Sequence, residues 1–265
     1  MPLHKEFHYE IIPNVLAENT VFIHGNLASN RWWYPAEKEW RRRAQGKVLK
    51  GSMILVEYRG CGQSPAPRSE AEVDMHLFAQ DFISLIQELN LGPVHVVGHS
   101  AGGLIAALML EKAPHLFLKA ILLDPVGATG VKFDDSMTVA FEQMKSSKEL
   151  VAAVIGSTIH NNNPNTDFFQ KMVVEDAFHA VKTVGVGVLK ALDGLDIREE
   201  CSKIKHNVLV LHGEHDTLLP MKDSKAMADL IQNSKFQIIP GQGHCVNAEN
   251  PGVFVELVES FAFCQ

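Results

Sequence analysis

Ser100 is the residue whose type and surroundings most clearly favour chemistry. It lies at the centre of a Gly-x-Ser-x-Gly pattern, with Gly98 and Gly102 two residues away on either side. An apolar, β-branched run at 94–97 precedes the pattern, and a run typical of a helix follows at 103–110. This order predicts a nucleophile elbow, a sharp strand-to-helix turn that presents the serine hydroxyl at the end of a sheet. The two glycines are expected to relieve crowding in a strained turn.

A catalytic serine needs a base, and His244 is the strongest candidate among the thirteen histidines. A serine hydroxyl is a poor nucleophile at neutral pH, so a base must take its proton and an acid must orient that base. His244 follows an apolar strand at 236–239 through the Gly-rich loop 240–243 and precedes the last helix. A histidine on such a loop can reach a serine at the end of a neighbouring strand.

Asp216 is the carboxylate that we expect to orient this histidine. In the chain order serine, acid, histidine, the acid lies between the other two residues. Asp216 fits that order and lies in the turn after a buried strand that begins at residue 207. Two competitors stay open. Glu214 lies in the same turn, and Asp124 ends the strand 120–123, where it could instead cap backbone N–H groups.

The oxyanion of an acyl-transfer transition state needs hydrogen-bond donors, and two backbone N–H groups are candidates. One is the N–H of Ala101, directly after the predicted nucleophile. The second should come from the turn after an earlier strand, where Asn26 is the first choice and Leu27 the alternative. His24, just before that turn, is expected to have a structural role and to bond to loop backbone beneath the site.

The composition narrows the classes of protein. With 265 residues, 46% hydrophobic and 21% charged, the chain can bury the core of one α/β domain. Its formal net charge of −7 argues against a nucleic-acid or anionic-membrane partner. The basic residues 41–43 and Lys47 are expected to form a solvated helix face.

The sequence also suggests where the protein works. Residues 1–6 lack the apolar region of a signal peptide, and no run is long enough to span a bilayer. The four cysteines have no metal-binding spacing and no dense disulfide pattern. A soluble protein in a reducing, cytoplasmic setting is therefore the expectation, with Cys245 beside the candidate histidine acting as a small buried hydrophobe.

The hydrophobic pattern predicts a doubly wound α/β fold with a mostly parallel sheet. Several strands are continuous apolar runs, as expected when both faces of a sheet are covered. Strands are expected at 20–24, 53–58, 94–97, 120–123, 207–211 and 236–239, with an antiparallel edge strand at 7–13. Helices are expected near 74–90, after Ser100, near 222–232 and from Asn250 onward.

Between the fourth and fifth of those parallel strands the alternation is interrupted. Residues 127–201 contain helical stretches near 134–147, 148–155 and 166–192, broken by an Asn-rich segment at 161–165. We expect a helical cap, or lid, over the carboxyl edge of the sheet, where open α/β sheets bind ligands. The predicted organisation is a core formed by 1–126 and 202–265, with the cap inserted in it.

Taken together, these motifs resemble the α/β-hydrolase superfamily, specifically its small capped serine hydrolases. The resemblance covers nearly the whole chain and rests on five motifs in the expected order: His24-Gly25-Asn26, the Arg-Gly-x-Gly turn at 58–64, the serine motif at 98–103, the turn at 212–216 and Gly243-His244. It implies an eight-stranded fold, the Ser-His-Asp triad and a cap inserted after the sixth strand.

Differences from particular members of the superfamily exclude some activities. The His-Gly-Asn turn is similar to that of haloalkane dehalogenases, but they and epoxide hydrolases use an aspartate nucleophile, which Ser100 cannot simply replace. The Trp-containing elbow of proline iminopeptidases is absent. Glu57 stands where members often have aspartate, two residues before the Arg-Gly-x-Gly turn, and this says little about the chemistry.

The prediction is a serine hydrolase that cleaves a small-molecule carboxylic ester, or a thioester or amide, through an acyl-enzyme. Neither a metal nor an organic cofactor is required. The same triad supports hydrolysis of carbon–carbon bonds in β-diketone-like substrates, or acyl transfer to an alcohol. A ligand receptor of the same fold with little turnover is an alternative of a different class. Residues 32–34, two tryptophans and a tyrosine, are candidates for either the pocket wall or the core.

Overall fold

The strands form one sheet in the computed structural model, which describes residues 7–13, 18–44 and 51–263. Residues 1–6, Lys47 and Cys264, which entered the predictions above, lie outside these ranges. The described strands are β1 Tyr9–Ile12, β2 Thr20–Ile23, β3 Met53–Val56, β4 Val94–His99, β5 Phe117–Leu123, β6 Asn207–Gly213 and β7 Ser234–Ile239.

The spatial order of the strands is β1-β3-β2-β4-β5-β6-β7. All neighbouring pairs are parallel except β1 with β3, which confirms the predicted mostly parallel sheet and its antiparallel edge strand. The described residues form seven strands, one fewer than the resemblance implies.

The helices follow the predicted pattern, with local sequence signals at their starts. Asp74 accepts a hydrogen bond from the N–H of Leu77, and Asn250 accepts one from the N–H of Val253, so both act as N-caps. The helices are α1 Tyr34–Ala44, α2 Met75–Glu88, α3 Ala101–Lys112, α4 Asp135–Met144, α5 Lys148–Ser157, α6 Val174–Thr183, α7 Gly185–Leu192, α8 Arg198–Lys203, α9 Met221–Leu230, α10 Val246–Glu249 and α11 Pro251–Ala262.

Two hydrophobic layers cover the sheet. On one face α1 packs against α11, and the core there includes Phe22, Trp33 and Phe254. On the other face α2 packs against α3, which is buried around almost its whole circumference. The parallel strands are therefore apolar on both sides, which explains their continuous hydrophobic runs.

Helices α4 to α7 lie between β5 and β6 and contact the core at defined points. The side chain of Asp176 on α6 accepts hydrogen bonds from Ser29 and Arg31 in the segment after β2. The carbonyl oxygen of Gly185 on α7 accepts one from the side chain of Asn26. Helix α8, in contrast, packs against α3 and α9 on the flank of the sheet. The sequence boundary expected at residue 201 falls inside this helix.

The surface features agree with the composition. Arg41, Arg42 and Arg43 pair with glutamates, among them Glu37 and Glu39, so the basic cluster is a solvated, ion-paired helix face.

Cys61, Cys201 and Cys245 are buried free thiols. Among the residues that the structure describes, no helix combines the length and the apolar character that a membrane crossing requires.

Candidate active site

The predicted site residues come together at the carboxyl edge of the sheet. Strands β2 and β4 are neighbours, while the chain continues from β2 to β3 on one side and from β4 to β5 on the other. This reversal of direction opens a crevice between the two strand ends, which is where doubly wound sheets bind ligands. Asn26 follows β2 and Ser100 follows β4, so they flank that crevice.

Ser100 adopts the strained backbone that an elbow requires. Its φ is 55° and its ψ is −120°, a conformation that costs a non-glycine residue free energy. Its N–H donates to the carbonyl oxygen of Leu123, and its own carbonyl accepts from the N–H groups of Gly103 and Val126. A Cβ atom at Gly98 would lie only 2.2 Å from the carbonyl oxygen of Gly102. The turn is thus held from both sides, and the predicted crowding is present.

His244 and Asp216 form a direct hydrogen bond. Nδ1 of His244 lies 2.8 Å from Oδ2 of Asp216. When the carboxylate accepts, Nδ1 carries the proton and Nε2 of the neutral ring keeps the lone pair that a base needs. Ser100 and His244 line one cavity, although the described residues give no hydrogen bond between their side chains. Contacts of this kind often tighten only when a substrate is bound.

Asp216 is held as a carboxylate. Burial alone would raise its pKa, but the hydrogen bond from His244 and the N–H groups of Leu218 and Leu219 keep the pKa below its usual value. Those two N–H groups lie 2.7 and 3.0 Å from Oδ1. One carboxylate oxygen therefore faces the imidazole while the other is fixed by the turn that follows β6.

The two competing acids are engaged elsewhere. Oδ1 of Asp124 accepts from the N–H of Gly213 at 2.7 Å, which matches the backbone-capping alternative. Burial and the neighbouring charge of Asp216 raise the pKa of Asp124 well above its usual value. Glu214 is exposed and accepts from the N–H of Gly241 at 2.8 Å. Of the three carboxylates, Asp216 is the one that hydrogen-bonds to His244.

A buried histidine completes this polar cluster. Atoms of Asp124, His212 and Asp216 lie within 4.8 Å of one another, a spacing that could hold a cation. Several of these atoms are already engaged: Nδ1 of His212 lies 2.9 Å from Oγ of Ser224, and Asp216 bonds to His244. Burial lowers the pKa of His212, which favours its neutral form. The arrangement fits a hydrogen-bond network that supports Asp216.

The turn after β2 distinguishes between the two candidate oxyanion donors. The side-chain oxygen of Asn26 accepts from the N–H of Leu27 at 3.0 Å, so that N–H is occupied. Within the described parts of the chain, neither the N–H of Asn26 nor that of Ala101 has a recorded hydrogen-bond partner. Both residues line the cavity that contains Ser100. This pattern favours Asn26 over Leu27.

His24 lies beneath this turn, as expected for a structural residue. Its Nδ1 lies 2.8 Å from the carbonyl oxygen of Gly25, which also accepts from the hydroxyl of Tyr58 at 2.8 Å. Complete burial lowers the pKa of His24 to about 4, against a weaker raising effect of the Gly25 carbonyl. The neutral ring therefore fixes the backbone just before the predicted oxyanion donor.

The cavity at Ser100 has a volume of about 670 Å³. Trp32 lines it, whereas Trp33 is buried against Phe22 and Phe254 in the core. Trp32 and Trp33 thus divide between the two roles left open by the sequence, whereas Tyr34 lines a different cavity. Most of the remaining wall is apolar and comes from the core and from the segment between β5 and β6, including Leu27, Val126, Phe141, Val154, Ile155, Leu189, Leu192 and Leu219.

A second cavity, of about 700 Å³, lies between α1, the turn at 159–163 and the loop that carries His244. Phe168, Phe169 and Met172 line it, so these residues of the helical segment do not face Ser100. Their hydrophobic spacing could not distinguish one cavity from the other.

Two residues at the site, His99 and Glu249, were not predicted from the sequence. Nε2 of His99 donates to the carbonyl oxygen of His244 at 2.9 Å, so the residue before the serine contacts the loop of the histidine. Burial, with the nearby His244, lowers the pKa of His99 to about 3. Glu249 accepts from the N–H groups of Gly243 and Cys245. Its position five residues after the histidine was the only signal in the sequence, and such spacings are common.

Comparison with known proteins is consistent with this geometry. Residues 20–257 match the model of the alpha/beta hydrolase family. The chain belongs to that family, whose membership supports a hydrolytic enzyme, and the sheet described above has the alpha/beta-hydrolase fold.

Curated relatives are similar over most of their length. A putative carbamate hydrolase of Caulobacter vibrioides is 23% identical over 96% of this chain and 94% of its own. A 2-hydroxy-6-oxo-2,4-heptadienoate hydrolase of Pseudomonas putida is 25% identical over 91% of this chain and 87% of its own.

Solved structures share the fold at lower identity. An enol-lactonase from Burkholderia xenovorans superposes with a TM-score of 0.82 at 19% identity, covering 97% of this chain and 96% of its own. An esterase from Exiguobacterium antarcticum superposes with a TM-score of 0.80 at 22% identity, covering 96% of this chain and 94% of its own.

Proposed function

We propose that this protein is a serine hydrolase that cleaves a carboxylic ester, thioester or amide through an acyl-enzyme. The observation that carries the proposal is the combination found in one cavity. Ser100 lies there in a strained turn, and His244 lies there with its Nδ1 bonded to Asp216. A nucleophile, a base with a free Nε2 and a carboxylate that orients the base form the set that acyl transfer needs.

The reaction has two halves. Oγ of Ser100 attacks the carbonyl carbon while Nε2 of His244 takes its proton, and the oxyanion is bound by the N–H groups of Asn26 and Ala101. The tetrahedral intermediate collapses, the bond to the leaving group breaks, and His244 returns the proton to that group. A water molecule, deprotonated by His244, then attacks the acyl carbon and releases the acid and Ser100. Asp216 stabilises the imidazolium in both halves.

Helices α4 to α7 are proposed to act as a cap over the cavity. They contribute Met137, Phe141, Val154 and Leu189 to its wall, and Asn26 and Gly185 join them to the loop after β2. A covered, mostly apolar cavity excludes water from the acyl group and strengthens the electrostatic interactions inside it. An acyl or aromatic substrate of moderate size matches a cavity of about 670 Å³.

Hydrolysis of a carbon–carbon bond is the second candidate. It is supported by the likeness to the heptadienoate hydrolase of Pseudomonas putida, which aligns over 91% of this chain. The same triad serves both reactions, so only substrates separate them. The rates of hydrolysis of esters with different acyl lengths, compared with the rates of cleavage of β-diketones, show which bond the protein cleaves. Formation of a new ester when an alcohol is added shows acyl transfer.

The direct test is a Ser100→Ala variant. It should lose ester hydrolysis and labelling by a fluorophosphonate while its circular dichroism spectrum matches that of the unmodified protein. Ser157→Ala is the matched control, because Ser157 is exposed on α5 and its hydroxyl donates to the carbonyl oxygen of Val154. Continued labelling and turnover by the Ser100 variant would refute the proposal.

A receptor role makes a different prediction. A receptor with a retained triad would bind a ligand and stop after at most one turnover. Sustained turnover of an ester by the unmodified protein, at many substrate molecules per chain, therefore supports the enzyme. Absence of turnover on the whole panel, together with stoichiometric acylation of Ser100, supports the receptor.

A further inference from the structure

We propose that Glu249 is a positioning residue for His244, which it holds by fixing the main chain on both sides of the histidine. The inference rests on the proposed role of His244 as the base. Glu249 is the last residue of α10, and its side chain turns back toward the loop that precedes this short helix. It does not touch the reacting atoms, so its effect on the reaction would pass through the histidine.

Three backbone N–H groups converge on the carboxylate of Glu249. Oε2 accepts from Gly243 at 2.5 Å, and Oε1 accepts from Cys245 at 3.0 Å. Oε1 also accepts from His160, in the turn after α5, at 2.9 Å. A carboxylate is suited to this task because it accepts at both oxygens and donates at neither. Hydrogen bonds to a charged acceptor are also stronger than those to a neutral one.

The loop that carries His244 has little freedom around these bonds. A Cβ atom at Gly213 would lie 1.9 Å from the carbonyl oxygen of Gly243, so the loop is pressed against the end of β6. On its other side, a Cβ atom at Gly243 would lie 2.6 Å from Cβ of His160. The loop is therefore enclosed between the sheet and the helical segment, and Glu249 bonds to both the loop and that segment.

The backbone of the histidine is thus fixed at three points. Glu249 holds the N–H groups before and after it, and His99 donates to its carbonyl oxygen at 2.9 Å. The carboxylate of Glu249 accepts from backbone N–H groups of the loop and of His160, so its acceptor capacity is directed at the main chain. With the main chain fixed, the imidazole can rotate only about its own side-chain bonds between Asp216 and the cavity.

Glu249→Gln tests the proposal with a minimal change of shape. The amide keeps one accepting oxygen but replaces the other with an NH₂ group, which cannot accept from a backbone N–H. We expect kcat for a reactive ester to fall about 10- to 100-fold, with KM changed less than about threefold, because misplacement of a catalytic group by about 1 Å has this effect. The rate of Ser100 labelling by a fluorophosphonate should fall in parallel.

A second measurement does not depend on activity. Amide hydrogen exchange at Gly243 and Cys245 should become faster in Glu249→Gln than in the unmodified protein. Glu256→Gln is the matched control, because Glu256 is an exposed glutamate on α11 that lies beside Arg43. It should change neither exchange at the loop nor kcat. Glu249→Asp keeps the charge and shortens the reach, so it is the second variant if the amide fails to fold.

The outcomes separate this inference from the proposed function. If amide hydrogen exchange at Gly243 and Cys245 is unchanged in Glu249→Gln, Glu249 does not hold the loop. If this exchange is faster but kcat and the labelling rate are unchanged, Glu249 does not position His244 for the reaction. If the unmodified protein neither hydrolyses esters nor labels at Ser100, the proposed function fails. Exchange at Gly243 and Cys245 would still decide whether Glu249 holds the loop.

Discussion

His244 is hydrogen-bonded to Asp216 through its Nδ1 atom, at 2.8 Å. This contact sets the tautomer of the imidazole, because the ionised carboxylate can only accept. It also explains why the pKa of Asp216 stays below its usual value although the side chain is buried. The most informative experiments therefore concern which carboxylate serves the histidine.

Asp216→Asn should lower kcat by about three to four orders of magnitude while the protein remains folded. The amide of the variant can donate to Nδ1, which places the proton of the neutral ring on Nε2 and removes the base. Steady-state hydrolysis of an activated ester measures the effect. Glu214→Gln is the control, since that side chain is exposed and bonds to Gly241, and it should retain activity within about threefold.

Asp124→Asn should cost little activity. Burial and the charge of Asp216 raise the pKa of Asp124, which favours the neutral carboxylic acid, and an asparagine resembles that form. Asparagine can still accept from the N–H of Gly213, and it tolerates the left-handed φ of 42° at this position.

Asp124→Ala provides the contrast. It leaves the Gly213 N–H without its acceptor and should lower the free energy of unfolding by about 1–3 kcal/mol, measured by urea denaturation. If instead Asp124→Asn abolished hydrolysis and Asp216→Asn did not, the acid of the triad would be Asp124.

Gly98→Ala should prevent folding or lower the free energy of unfolding by at least about 3 kcal/mol. The new Cβ would lie 2.2 Å from a carbonyl oxygen of Gly102, which cannot rotate away as a side chain would. Gly92→Ala is the matched control. Gly92 has a φ of 72° and no atom within 4 Å of the added Cβ, so it should cost only about 1 kcal/mol. Equal costs for both variants would contradict the crowded turn.

The stability of the protein should depend on buried neutral histidines in acid. Burial lowers the pKa of His24 to about 4, below the value of about 6.5 expected in the unfolded chain. Between these values the unfolded chain binds more protons, so the contribution of His24 is complete above pH 6.5 and is lost as the pH falls toward 4.

Replacing His24 with asparagine should therefore flatten the dependence of unfolding free energy on pH between 6.5 and 4, by up to about 1.4 kcal/mol per pH unit. Urea denaturation at several pH values, on the variant and the unmodified protein, measures this difference. The comparison is needed because burial raises the pKa of Glu57, which acts with the opposite sign. An identical pH dependence in the two proteins would contradict a neutral, buried His24.

Local signals in the sequence were sufficient for much of the fold. The N-cap Asn250 predicted where α11 begins, because a cap bonds to N–H groups only a few residues away. The turn at Ser100 was equally predictable, since Gly98 and Gly102 crowd each other within one pentapeptide. The resemblance implied eight strands, and the residues that the structure describes form seven of them.

Long-range contacts were beyond the sequence. Asp124 and Asp216 both follow buried strands, so the sequence favoured Asp216 but left Asp124 open as a competitor. The fold shows that Asp216 is the one that bonds to His244. The sequence also could not show that Phe168 and Phe169 line the second cavity rather than the one at Ser100. His99 and Glu249 acquired their contacts with the histidine loop only when distant segments met.

The sequence by itself determined the strand-turn-helix at Ser100, the order of the elements and the residues able to carry a triad. These depend on hydrophobic periodicity and on steric conflicts between near neighbours, which each segment carries within it. The tertiary structure alone decided which carboxylate bonds to His244 and which side chains bond to the backbone of its loop. Those depend on the order and register of β4, β5, β6 and β7, which bring together atoms separated by up to 145 residues.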